Sequence, residues 1–480
     1  LGFNVLLSPP TNEEIIRLSQ QTAQAETCYP VKLLHGHMAW LAEQGVDYIF
    51  MPSVHTMKHE SSHVEHNYGC VYMQTAPRLA ANALNLEQRG ITLLSPVFDL
   101  DFGQEAMASA MLGVGKQLGI PKPRCLPALL SGAKAVRRHT AAVEKQGQEL
   151  LASLRPDDKV LVLITRNYGL SDPVLNMGIP RLLLERGHKV ITLSHLPAHD
   201  LDLSEDYPNL YWPFGQHILS GAKLVAHHPN LYAVYLTNHG CGPDTMLSYL
   251  FRKEMGDKPY LQIEVDEHFS PVGVITRIEA FLQSLEGRPA QPLPAGFSLA
   301  AVVRRPTAVA AVPERTGGPL LVPDLPPFTA YLRAYCEAAW ETETRTLRLD
   351  STTLPLGRAE TSSKEYLPFP ALLGGVLTAA EAESGPFQVL LPSTQGAEAD
   401  GQYPWGVETV LERQGLCRVK VIAPELETLP ERCPEPDLLF RAFLVGDLLL
   451  CAPPEQRDAL APAGVPDWAE LEALAAHIGA

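Results

Sequence analysis

No stretch of this chain approaches the roughly 20 consecutive apolar residues that a membrane span requires, and no charged-then-apolar leader opens it, so it reads as cytoplasmic. Positive charge is also scarce. Thirty-eight Lys and Arg against fifty-four Asp and Glu leave a net charge of −16, which opposes nucleic acid and anionic membrane, and no local basic patch overrides it. No glycine-rich segment followed by Lys-Ser or Lys-Thr is present, so the chain lacks a phosphate-binding loop of the P-loop type. Cysteine is thinly spread. Eight in 480 residues are too few for the disulfide scaffold of a small secreted domain, and metal or redox chemistry is the better reading.

What is present is ample apolar material. At 46% hydrophobic, the chain can build two to four domains with their own cores. Asn4 to Ser8 reads as a short strand, and Thr11-Asn12-Glu13-Glu14 as the capping-box start of an amphipathic helix. Val31 to Gln44 is a helix ending at Gly45, and Val46 to Met51 a buried strand stopped by Pro52. A second block has strands at 159–164, 189–193, 231–236 and 259–265 with a helix near 180–186, an alternation that argues for a parallel sheet. Residues 287–327 are rich in Pro, Ala and Gly, as a linker would be. The expected domains are therefore 1–150, 151–286 and 328–480.

The last domain carries a faint repeat of the first. Glu365-Tyr366-Leu367-Pro368 echoes Thr27-Cys28-Tyr29-Pro30, Leu372 and Gly374 match Leu34 and Gly36, and Leu391-Pro392-Ser393 echoes Met51-Pro52-Ser53. Tyr366 stands where the cysteine would be.

Three cysteines lie in turn contexts: Thr27-Cys28-Tyr29-Pro30, Tyr68-Gly69-Cys70-Val71 and His239-Gly240-Cys241-Gly242-Pro243. Thiols so presented are available to a metal cluster, whereas a structural cysteine behaves as a small buried hydrophobe. Cys28 precedes a helix N-terminus, where the dipole favours a thiolate, and Cys241 follows a strand end, where ligands of open α/β sheets gather. A closed cluster takes four ligands, so three leave one iron open. Cys125, Cys336, Cys417, Cys433 and Cys451 read as structural.

His59-Glu60-Ser61-Ser62-His63 has zinc-peptidase spacing, but that chemistry needs a helix and the segment lacks apolar periodicity. It reads also as polar surroundings of Cys70 or as a solvated loop. His35 and His37, two apart on a helix, cannot share a face, and packing or hydrogen bonding suits them better than a metal. Glu267, His239 and His268 are the candidate proton donors, although a capped strand end explains them equally well.

At Ala25 to His37, Val46 to Ser53, His66 to Gln74, Asn238 to Asp244 and Glu264 to Phe281 the chain resembles the acyl-CoA dehydratase activase-related proteins. These belong with the 2-hydroxyacyl-CoA dehydratases, benzoyl-CoA reductases and double-cubane cluster proteins. The resemblance covers about residues 1–285 and is diffuse beyond 315. It implies a [4Fe-4S] cluster on Cys28, Cys70 and Cys241, served by an ATP-hydrolysing activase domain upstream in the same polypeptide or separate. An acyl-CoA or another small hard-to-reduce molecule is the implied substrate, and a homodimer is compatible with it. Where members with a second cluster carry cysteines in the later domain, this chain has Tyr366 and Glu398.

The expectation is thus an α/β protein: two Rossmann-like parallel-sheet domains with an iron–sulfur cluster between them, plus a degenerate third α/β domain without cluster cysteines. Its expected role is ATP-dependent low-potential electron transfer. A non-catalytic electron-relay or scaffold module is the alternative, and a zinc peptidase on His59 and His63 the third reading. Leu1-Gly2-Phe3 already resembles the entry to a strand, so further chain is expected upstream.

Overall fold

The computed structural model describes all residues except 1, 24–26, 58–60, 102, 269, 289–311, 315–316, 363–364, 426–433 and 480. It is an α/β protein whose strand ladders are parallel, in two compact units, Leu1–Arg305 and Pro306–Ala480. Cys433, His59, Glu60 and most of the expected linker lie outside the described residues.

In the first unit, α1 (Glu13–Thr22) starts one residue later than the Thr11–Glu14 capping box would place it: Asn12 is the cap, its side chain accepting a hydrogen bond from the Ile15 N–H, while the Thr11 hydroxyl is engaged with Asp172 and His37. The helix packs on α2 (Tyr29–Glu43), and β1 (Tyr48–Phe50) and β2 (Ser53–Val54) follow on one path broken by Pro52. Then come α3 (Val71–Ala83), β3 (Thr92–Leu94) and β4 (Val97–Phe98), which pair in parallel with β1 and β2. Pro52 and Pro96 have no N–H to give a ladder, so one ribbon is cut into two short pairs. Asn4–Ser8 is not a strand: Val5 and Leu7 are each 81% exposed and no ladder forms there. An apolar run without a partner strand has nothing to pay its ordering entropy.

Helices α4 (Gly103–Gln117) and α5 (Lys122–Ala152) lead to the four-stranded sheet. The strands β5 (Val160–Ile164), β6 (Lys189–Thr192), β7 (Leu231–Asn238) and β8 (Leu261–Val265) stand in the order β6-β5-β7-β8. Between them run α6 (Asn167–Ser171), α7 (Ile179–Glu185), α8 (Pro213–His227) and α9 (Gly242–Met255), with α10 (Pro271–Glu286) after β8. All residues of β5 and β7 are buried, the signature of a central parallel strand covered on both faces. Tyr29 and Leu33 of α2 pack into the same core as Leu161, Val234 and Ile263.

The second unit has β9 (Leu320–Pro323), α11 (Thr329–Trp340), β10 (Thr344–Leu347), α12 (Leu354–Glu360), α13 (Pro368–Ala382) and β11 (Phe387–Leu390). After these come α14 (Tyr403–Arg413), β12 (Val419–Ile422), α15 (Pro436–Cys451) and α16 (Trp468–Ile478). Its sheet runs β10-β9-β11-β12, the strand order of the first unit's sheet. β9 falls inside the stretch read as linker. Its four residues are fully buried and it is a central strand, so the Leu320-Leu321-Val322 run outweighs the surrounding prolines and glycines.

Candidate metal centre

In the sheet β6-β5-β7-β8 the chain turns one way from β5 to β6 and the other way to β7 and β8, so the crevice beyond the carboxyl ends of β5 and β7 is the topological switch point. Arg166 follows β5 and Cys241 follows β7 at this place. Arg166 Nη2 donates to Cys241 Sγ at 3.1 Å, and Nη1 of the same guanidinium lies 3.7 Å from Cys70 Sγ. Its Nε is 3.7 Å from Asp244 Oδ1, its carbon sits 3.9 Å above the Phe214 ring, and its side chain is only 6% exposed. Asp244 is itself held by the Asn238 N–H at 2.9 Å. Nε lacks a hydrogen-bond partner although it is buried.

Cys28, Cys70 and Cys241 are each the N-cap of a helix, α2, α3 and α9. Three helix N-termini thus present buried free thiols in one region. Gly240, at φ +68°, brings the Cys241 turn against Thr27 and Cys28, where a Cβ would stand 3.3 Å from the Thr27 carbonyl oxygen. The Tyr29 N–H donates to the His239 carbonyl at 3.4 Å and closes the same contact. Burial pushes the Cys28 thiol up to about 11 while the nearby Arg166 charge pulls it down. The Cys241 thiol is likewise held well above its ordinary range by burial, against the pull of Arg166.

Cys28, Cys70 and Arg166 line a cavity of about 360 Å³. Leu33, Leu34, Met51, Val54, Met73 and Leu175 make most of its wall apolar. Its polar edge is a chain of hydrogen bonds: Thr11 Oγ1 donates to Asp172 Oδ2 at 2.5 Å and meets His37 Nε2 at 3.0 Å, and His37 Nδ1 meets Ser8 Oγ at 3.0 Å. His37 therefore hydrogen-bonds, as its spacing from His35 suggested, and burial keeps its imidazole below the usual range.

Among the described residues, no group of three or more His, Cys, Asp or Glu side chains is close enough together to hold a single metal ion. The thiols stand around a guanidinium rather than a point. Three buried thiols at three helix N-termini would fit a polynuclear, anionic iron–sulfur group better than one ion.

None of the candidate proton donors is among the residues lining the cavity. Glu267 pairs with Lys32 at 2.7 Å; burial opposes its charge, yet the ammonium holds the carboxyl below the usual range. The His239 ring is 65% exposed and faces Glu264 at 2.9 Å, and His268 is exposed. In the zinc-peptidase segment, residues 61–67 are not helical and His63 pairs with Asp202 at 2.8 Å, so the described part does not supply the helical face that reading requires. Arg166 was missed from sequence. A buried-strand run ending in a lone arginine, Val-Leu-Ile-Thr-Arg, is the signal that points to it.

Residues 1–196 match the family of the CoA enzyme activase uncharacterised domain (DUF2229). The resemblance to activase-related proteins therefore holds over this stretch, and the activase-related region contains Cys28, Cys70, Arg166 and every lining residue of the cavity, while Cys241 lies beyond it. Comparisons with curated proteins and with solved structures gave no match. No helix among the described residues is long and apolar enough to cross a membrane.

Proposed function

We propose that this chain is an iron–sulfur protein of an acyl-CoA dehydratase-type system, in which Cys28, Cys70 and Cys241 hold a [4Fe-4S] cluster used in low-potential electron transfer. The observation that carries the reading is the convergence of three free thiols, each at a helix N-terminus, on one buried guanidinium beside an apolar cavity. Such a cluster, with three protein ligands, supplies a one-electron couple and an open iron. The protein's own residues do the rest. The helix ends and Arg166 offset the anionic charge, the cavity wall excludes water and takes the apolar part of a small substrate, and the Thr11–Asp172–His37 edge hydrogen-bonds a polar group entering it. A cavity of this size admits the acyl end of a thioester and leaves the nucleotide outside. An ATP-hydrolysing activator is the proposed electron source, because the match to the activase domain family supports a dehydratase-type partner system.

The test is iron and acid-labile sulfide per chain on protein purified without oxygen. About four of each supports one cluster on three cysteines, and about eight means a second site. Zinc in place of iron, or no metal in any preparation after reconstitution, overturns the reading.

A further inference from the structure

The most unusual buried group in the first unit is Arg166. Burying a cation costs several kcal/mol unless it is paired and hydrogen-bonded. Here compensation is partial: one carboxylate stands 3.7 Å away, an aromatic face lies beneath, and Nε retains an unspent N–H. Of its terminal nitrogens, Nη2 donates to the Cys241 sulfur and Nη1 points toward that of Cys70. A neutral thiol is a weak acceptor and does not repay a buried guanidinium, whereas an anionic sulfur site does. The arrangement is under-compensated for a thiol pair and matched to a negatively charged group at the same sulfurs.

We infer that Arg166 is a positioning residue that holds Cys70 and Cys241 as a pair and, by its fixed positive charge, sets the reduction potential of the cluster those residues bind, with Asp244 opposing it. This rests on the function proposed above. The couple is a one-electron one: an electron from an external low-potential donor enters, and no bond forms or breaks. A permanent cation beside the acquired charge favours the reduced form, and an anion disfavours it, so the two residues act with opposite sign.

The experiment is an EPR-monitored redox titration of the full chain, reconstituted anaerobically with iron and sulfide, in wild type, Arg166→Gln, Arg166→Lys and Asp244→Asn. Arg166→Gln is expected to shift the reduction equilibrium at least tenfold toward the oxidised form, a fall of about 59 mV for one electron. Arg166→Lys restores most of it, and Asp244→Asn shifts it the other way, a reversal that general loosening of the fold does not produce. If Arg166→Gln takes up no iron while Arg166→Lys does, the positioning half of the inference is supported. A loaded Arg166→Gln with the wild-type potential, or a shift of the same sign in Arg166→Gln and Asp244→Asn, overturns it. If neither Arg166 variant loads, Asp244→Asn alone decides: an unchanged or lowered potential overturns the inference. Wild-type protein that holds no iron overturns the function itself, and this inference with it.

Discussion

The four-stranded sheets of the two units have the same strand order and differ in what stands at their switch points. Beyond β5 and β7 of the first lie Arg166 and Cys241; beyond β9 and β11 of the second lie Asp324 and the Leu391-Pro392-Ser393 turn. The likeness extends further. The helix pair α1–α2 followed by β1, α3 and β3 in residues 13–94 has a counterpart in α12–α13, β11, α14 and β12. Gly36 of α2 lies so close to α1 that a Cβ would strike the Ile15 carbonyl, and Gly374 of α13 meets the Thr353 carbonyl before α12 in the same way. At the two helix starts that carry Cys28 and Cys70 in the first unit, the second has Leu367, after Tyr366, and Gln402. The comparison teaches that packing and chemistry separate: the close helix contacts and the parallel strands persist where these helix starts carry no thiol, so this packing does not depend on a cysteine there.

The sharpest way to break the contrast is to remove a thiol from each unit. Cys28→Ala should drop iron from about four per chain to less than one, with loss of the cluster's visible absorbance, while Cys336→Ser in the core of the second unit leaves iron unchanged. Equal loss in both would mean that the first unit holds no special site.

The shared packing is tested at its glycines. Gly36→Ala and Gly374→Ala should each destabilise their own unit by about 2–3 kcal/mol, because the contact is backbone against backbone and cannot yield. Hydrogen-exchange protection of β7 and of β12 reads the units separately. A loss confined to one variant would count against a common architecture.

The units should also respond oppositely to pH. Burial, reinforced by the Lys258 charge, lowers His228 from 6.5 to about 4, so the unfolded chain binds the proton more tightly and the first unit gains stability as pH rises from 4 to 6.5. Burial raises Glu408 from 4.5 to about 7; the folded chain binds the proton more tightly, and the second unit loses stability as pH rises from 4.5 to 7. His228→Asn should flatten a term of about 3 kcal/mol, and Glu408→Gln one of about 2 kcal/mol after allowance for its partial exposure. Exchange protection of β7 and β12 followed from pH 4 to 7.5 checks both slopes.

The smallest effect is expected at the Lys32–Glu267 pair. Glu267→Gln should cost under about 1 kcal/mol and leave iron content unchanged, as measured by urea unfolding and metal analysis. Loss of iron in this variant would bring Glu267 back to the site.

Much of this was legible in the chain itself. Parallel strands announce themselves as continuous apolar runs, as in Val160–Ile164, because both faces are buried. The three cysteines stood out by their turn residues, and the local pattern placed Cys28 at a helix start and Cys241 at a strand end. The repeat was visible at Gly36 and Gly374 because only glycine permits that approach. Tertiary structure decided the rest. Arg166 is remote in sequence from the three thiols, and only the strand order β6-β5-β7-β8 puts it beside two of them. Whether Asn4–Ser8 or Leu320–Pro323 becomes a strand depends on a partner edge, which the first lacks and β9 finds between β10 and β11. Local sequence encodes conformational preference and burial; which distant groups meet is set by packing and topology, and the chemistry of this site lies in such a meeting.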